Sequence, residues 1–238
     1  MDDVELSEVD LRRLSTQWSK VRDPQTFVLR YVHPIRGYLR CLLPAEDDVE
    51  EVLQRFMVKI LERRFDPAAV RGDRLRNYLI RAIRNEAISW QREQSAKRGA
   101  TLVESSTMDV REAITAQDQQ NWNDDWQQSL LDRGLLALLA YEETHPPSWC
   151  HSVLTLATEN PEMNSDELAA RLHDQRGISL TAATFRKQLS RARRMLAEEL
   201  VRQVAETIES ANRVELLDEL RVLGLATFVE PYITLREN

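Results

Sequence analysis

One short segment of the chain concentrates positive charge without any acid. Residues 184–196 read TFRKQLSRARRML, and five of these thirteen residues are Arg or Lys. If the segment is a helix, the side opposite its apolar residues carries Thr184, Lys187, Arg191 and Arg194, with Arg186 flanking them. Such a helix can enter the DNA major groove, where N-terminal side chains contact base edges and cations hold phosphates. The alternative is an ordinary solvated surface, although such surfaces usually mix Glu with Lys.

A second basic stretch, residues 71–93, reads RGDRLRNYLIRAIRNEAISWQRE. On a helix, the side away from the apolar residues carries Asn77, Arg81, Arg84 and Arg92. Arg and Asn near aromatic rings suit single-stranded nucleic acid, because cations follow the backbone and rings stack on bases. The aromatic residues here also fit a hydrophobic core, and Glu86 falls near the inward side and breaks the pattern.

An acidic helix is predicted just before this stretch, in DVEEVLQRFMVKIL (residues 48–61). Its inward stripe is apolar, and the opposite side carries Glu51, Gln54, Arg55 and Val58. An outward Val among polar residues indicates a protein partner, although a single exposed apolar residue often has no function.

The composition favours an all-α protein. The chain has 238 residues, 42% of them hydrophobic, and only six Gly, while the abundant residues are helix formers. Its net charge of −7 argues against indiscriminate binding of polyanions and leaves room for local basic patches. Two Cys residues make no disulfide framework, and the longest apolar run (residues 135–141) is too short to span a bilayer. We therefore expect a cytoplasmic protein without membrane insertion.

The elements that position these faces form two helical domains joined by a flexible linker. We predict a first domain at 1–98, an acidic linker at 99–121, a second domain at 122–204 and a C-terminal extension at 205–238. The first helix covers Phe27 to Leu43, and we expect Pro34 and Gly37 to bend or interrupt it. Trp122 and Trp126 are expected to open the second domain.

The second domain contains a predicted helix–turn–helix. Asn164 or Ser165 caps its short first helix, and Gly177 can adopt the left-handed conformation that ends it. Thr181 caps the long basic helix that follows. Beyond that helix, we expect the apolar residues of LLDELRVLGLATFVEPYI to pack back on one of the domains and regulate access to DNA.

These motifs, in this order and spacing, resemble those of the extracytoplasmic-function (ECF) sigma factors of bacterial RNA polymerase. DVEEVLQRFMVKIL is similar to their region 2 signature, and the stretch from Phe65 to Ala100 resembles the loop and promoter-melting helix that follow it. TFRKQLSRARRML resembles the recognition helix of their region 4. The chain looks like a subgroup with a longer C-terminus.

The resemblance implies a role for each face. Glu51, Gln54, Arg55 and Val58 would bind the β′ clamp helices of core RNA polymerase, and the β flap would be a further contact. The loop Phe65 to Asp73 would hold a flipped base of the −10 element. The melted −10 strand would contact Arg71, Arg74, Asn77, Arg81, Arg84, Asn85 and Arg92. The −35 element would contact Thr184, Arg186, Lys187, Arg191 and Arg194. An anti-sigma factor is a further expected partner.

Three other functions compete with this one. A helix–turn–helix regulator that never joins polymerase would explain the second domain and leave the first unexplained. An enzyme is disfavoured: Cys150, His151 and His145 suggest zinc, but no fourth ligand has metal spacing. An inert helical scaffold leaves both basic faces unexplained. The sequence thus predicts a sigma factor without catalytic activity, metal or cofactor.

Overall fold

The computed structural model describes residues 7–10, 24–62, 75–97, 116–208 and 213–236. The helices are α1 (Pro24–Leu42), α2 (Glu46–Leu61), α3 (Leu75–Lys97), α4 (Ala116–Thr144), α5 (Cys150–Glu159), α6 (Ser165–Arg176), α7 (Ala182–Ala205), α8 (Arg213–Val222) and α9 (Ala226–Val229). Two short strands, β1 (Ser7–Asp10) and β2 (Ile233–Arg236), pair in parallel. The all-α prediction is confirmed, with this one small ladder added.

The chain divides into two compact units. The α1–α3 unit comprises Ser15–Ser129 and Glu206–Ala211. The α5–α9 unit comprises Met1–Leu14, Leu130–Ala205 and Asn212–Asn238. Helix α4 contributes residues to both. Of the predicted linker at 99–121, residues 99–115 lie outside the described residues, and the rest begin α4.

Aromatic packing on α1 explains why the start of α4 belongs to the α1–α3 unit. Tyr31 stacks on Trp126 with ring centres 4.9 Å apart, and Tyr38 meets Trp122 edge-on at 5.4 Å. All four side chains are almost completely buried. The sequence interpretation placed both Trp residues in the second domain, whereas the structure packs them against a helix some ninety residues earlier.

Helix α1 is continuous through Pro34 and Gly37, so the interruption that was one of the two expected effects does not occur. Gly37 serves packing instead of ending the helix: a Cβ there would collide with the Asp125 carboxylate of α4. The missing side chain lets the two helices approach closely. Burial, together with the nearby Asp124, raises the pKa of Asp125, and Arg40 opposes that shift.

Helix α2 buries the predicted stripe. Val49, Val52, Leu53, Phe56 and Ile60 are all buried, as the helical period indicated. Its acidic first turn is favoured by the helix dipole.

Polar contacts fasten α2 to its neighbours. Arg36 and Arg40 of α1 pair with Glu50 and Glu46, respectively. From α3, Trp90 donates its indole N–H to Asp48 at 3.2 Å.

The α5–α9 unit has the predicted caps. The Asn164 side chain accepts hydrogen bonds from the backbone N–H groups of Asp166 and Glu167, and the Glu167 carboxylate accepts one from the Asn164 backbone N–H. Gly177 has φ 68°, the left-handed conformation that ends α6. The backbone N–H of Thr184 donates to Thr181 Oγ1 at 3.1 Å at the start of α7. These local signals define the turn between α6 and α7.

The core of this unit lies along α7. Phe185, Ala192 and Leu196 are buried, as predicted. Helices α5, α6, α8 and α9 all pack against α7, so the C-terminal extension covers this helix. A Cβ on Gly134 of α4 would lie 2.5 Å from Leu196 Cδ1, so the missing side chain permits close packing of α4 on α7.

Candidate nucleic-acid and partner interfaces

The basic face of α7 is open to solvent. Thr184, Arg186, Lys187 and Arg191 are exposed, and Arg194 is partly buried with a contact of its own in the chain. Within the described residues, no carboxylate lies in salt-bridge range of Arg186, Lys187 or Arg191. These three cations therefore keep their charge available for an anionic partner.

Arg191 has a neutral partner. Its Nη2 donates to the hydroxyl of Tyr141 at 2.7 Å, and its Cζ lies 5.6 Å from the centre of that ring. Tyr141 lies near the C-terminal end of α4, fifty residues away in sequence, and no pattern in the sequence pointed to it. The contact holds the guanidinium without cancelling its charge.

The outward side of α2 forms one stripe. Glu51, Gln54 and Val58 are exposed, as predicted, and Val58 is 44% exposed. Leu61, which is 49% exposed, lies one turn further on the same stripe and was missed. Its spacing of three residues from Val58 was the available signal. The four residues 51, 54, 58 and 61 are called the α2 stripe below; two apolar side chains among polar ones suit a protein partner.

Arg55 differs from the other predicted residues of this face because it is engaged within the unit. Its two terminal nitrogens donate to the Glu93 carboxylate at 2.8 and 3.0 Å, and its Cζ lies 5.2 Å from the centre of the Trp90 ring. The pairing raises the pKa of Arg55 and lowers that of Glu93. Arg55 therefore joins α2 to α3.

The predicted strand-binding residues on α3 and before it divide into three groups. Arg81, Asn85 and Arg92 are exposed. Arg84 is only 5% exposed, which corrects the prediction that it faces outward: it lies on the inward side, one position from the buried Ile83. The third group lies outside the described residues: Arg71, Arg74, the side chain of Asn77 and the loop Phe65 to Asp73.

Glu86, which broke the helical pattern, sits in a charged contact between helices. It is buried, and its carboxylate binds Lys59 Nζ and lies 3.7 Å from Arg55 Nε. A buried carboxylate needs such partners, because desolvation without them is costly. The residue thus fixes α3 against α2.

Residues 27–97 match the family described as Sigma-70 region 2.

This segment is similar to a sigma-70 region 2 domain. The matched segment runs from α1 to the end of α3 and supports a sigma-70 family sigma factor, a class of transcription initiation factor without enzymatic activity. A region 2 domain implies binding to core RNA polymerase. No curated protein and no solved structure matches the chain.

Two further observations concern membrane spans and metal sites. In the part of the chain that the structure describes, no helix has a stretch long and apolar enough to cross a bilayer. In the same ranges, no three His, Cys, Asp or Glu side chains converge as a metal site requires. Cys150, a candidate zinc ligand in the sequence, is buried and its thiol donates to the Leu138 carbonyl at 3.5 Å.

Proposed function

We propose that the chain is an ECF-type sigma factor that brings core RNA polymerase to promoters and opens them. The observation that carries the proposal is the region 2 match over residues 27–97, on helices whose outward side displays the α2 stripe. The open basic face of α7 adds a second DNA-binding surface in a separate unit. Catalysis remains with the polymerase.

The α2 stripe docks on the β′ clamp helices. Exposed Val58 and Leu61 supply the apolar centre of the contact, and Glu51 and Gln54 supply a polar edge. An apolar centre with a polar rim is typical of protein interfaces. Arg55 does not contact the polymerase in this proposal; it holds α2 against α3 through its ion pair with Glu93.

The −10 element is held by α3 and the residues before it. Exposed Arg81, Asn85 and Arg92 suit a single strand, because cations follow its phosphates and the amide can reach base edges. The resemblance adds Arg71, Arg74 and Asn77. Arg84 is assigned a structural role because it is buried.

The −35 element is read by α6 and α7 acting as a helix–turn–helix. Thr184 and Lys187 lie in the first turns of α7, which is where a recognition helix meets base edges. Arg186 and Arg194 are placed to hold the phosphate backbone. Among the described residues, Arg186, Lys187 and Arg191 have no acidic partner, so DNA binding at these three cations breaks no ion pair.

The competing function is a DNA-binding regulator that does not join polymerase. A pull-down of purified core polymerase by the tagged full chain separates the two, since only a sigma factor forms the holoenzyme. Val58→Asp should reduce capture at least tenfold, because it places a charge in the apolar centre. Leu136→Asp is the matched control: Leu136 is an exposed apolar residue of the other unit, and its variant should retain capture. Absence of capture by the unaltered chain favours the regulator.

A further inference from the structure

The contact between Arg191 and Tyr141 sets this arginine apart from the other cations on the basic face of α7. The phenol accepts one hydrogen bond from Nη2, and the guanidinium carbon lies over the ring, 5.6 Å from its centre. Because Tyr141 is neutral, the positive charge of Arg191 is not offset, in contrast to Arg55, which two Glu93 oxygens neutralise. The contact restricts where the Arg191 side chain points and leaves its remaining N–H groups available.

Tyr141 is itself held in place. The His145 ring stacks on it in parallel, with centres 4.1 Å apart and planes 6° apart. His145 Nδ1 lies 2.8 Å from Thr144 Oγ1 and 3.1 Å from the Tyr141 carbonyl oxygen, which fixes the histidine ring in turn. Two helical turns earlier, the close approach of α4 to α7 at Gly134 sets the spacing of the helices. These contacts restrict the position of the Tyr141 ring and its hydroxyl beside α7.

We propose that Tyr141 is a positioning residue for DNA recognition, which orients Arg191 toward the duplex and so contributes to sequence preference. The inference rests on the proposed function, because it assigns a task within the −35 contact. A free Arg side chain loses rotational freedom when it binds. Arg191 has lost much of this freedom already, so binding is favoured by about 3- to 10-fold in Kd.

A double-mutant cycle on the full chain tests the proposal. The probe is the genomic DNA fragment that binds the unaltered chain most tightly, and Kd is measured by fluorescence anisotropy. Tyr141→Phe keeps the ring and removes the hydroxyl, so it should weaken binding about 3- to 10-fold. In an Arg191→Ala background, the same change should alter Kd less than twofold, because there is no arginine to position. Arg186→Ala is the matched control, with which Tyr141→Phe should act independently.

Two readouts distinguish positioning from a general structural effect. Tyr141→Phe removes no charge, so the dependence of log Kd on log salt should keep its slope, whereas Arg191→Ala should reduce the slope by about one. Selection from a randomised duplex library should show relaxed preference confined to one or two adjacent base pairs for both variants. Lowered thermal stability without these changes would mark Tyr141 as merely structural and overturn the proposal.

The outcomes separate this proposal from the function on which it rests. If the unaltered chain binds no duplex fragment, the proposed −35 contact fails and Tyr141 has no such role. If the unaltered chain binds but Tyr141→Phe is neutral, or weakens binding equally with and without Arg191, the contact exists and the positioning role is refuted.

Discussion

Lys59→Met should destabilise the α1–α3 unit more than the exposure of Lys59 suggests. Lys59 is half-exposed, and replacing such a residue usually changes stability by less than about 0.5 kcal/mol. However, its ammonium is the hydrogen-bond partner of Glu86, whose side chain is only 8% exposed. Without Lys59, the buried carboxylate keeps, among the described residues, the longer ion pair of 3.7 Å with Arg55.

The size of the stability loss depends on which partner is removed, because Glu86 is buried and Lys59 is half-exposed. Removing one partner of a buried ion pair costs about 3–5 kcal/mol when the other charge is left alone. The remaining Arg55 contact reduces this, so we expect a loss of about 2–3 kcal/mol for Lys59→Met. Glu86→Gln should cost about 1 kcal/mol or less, because the amide oxygen still accepts from Lys59 and no buried charge remains.

Urea unfolding of the full chain, followed by tryptophan fluorescence, measures both effects. With a slope of about 1–3 kcal/mol per molar urea, a loss of about 2–3 kcal/mol should lower the Lys59→Met midpoint by roughly 0.7–3 M. The double variant Lys59→Met with Glu86→Met removes both charges and should recover to within about 1 kcal/mol of the unaltered chain. Lys187→Met, at an exposed lysine without an acidic partner among the described residues, is the control. A Lys59→Met midpoint equal to that of the control would refute the reasoning.

Three further predictions concern other contacts. Val58→Asp should leave the urea midpoint unchanged while it weakens polymerase capture at least tenfold; a lowered midpoint would mean that the variant acts on folding. Gly134→Ala should destabilise the α5–α9 unit by about 1–3 kcal/mol despite the better helix propensity of Ala, because the added methyl meets buried Leu196; increased stability would contradict that contact. Asp125→Asn should stabilise the chain at neutral pH, because a carboxyl whose pKa is raised in the folded state costs free energy when it ionises there. This gain in stability should vanish as pH falls below the ordinary Asp value of about 3.9, where the carboxyl is protonated in both the folded and the unfolded state. A gain in stability that grows in acid would contradict the raised pKa.

The parts of the fold that could be predicted are those with local causes. The buried stripe of α2 follows from apolar residues at helical spacing. The cap at Asn164 and the left-handed Gly177 depend on residues within one turn of each helix end. The exposed cations of α7 were predictable for the same reason, since Phe185 fixes which side faces inward.

The parts that could not be predicted depend on distant partners. Trp122 and Trp126 follow a polar stretch, so sequence order placed them in the second domain, but their aromatic partners lie on α1. The sequence could not show whether Arg84 faces the core or the solvent, because charged residues occur around most of α3. Its burial depends on how α3 packs in the folded unit. The Tyr141 contact with Arg191 joins residues of two different helices.

The central claim is that one surface of the chain binds polymerase while another binds promoter DNA. Run-off transcription with purified core polymerase on genomic fragments tests both at once. The account predicts transcripts that require the chain and whose start sites share upstream sequence. It also predicts their loss with Val58→Asp, and separately with Lys187→Ala plus Arg191→Ala. Polymerase that initiates no differently with and without the chain, or transcription unaffected by either set of variants, would contradict the account.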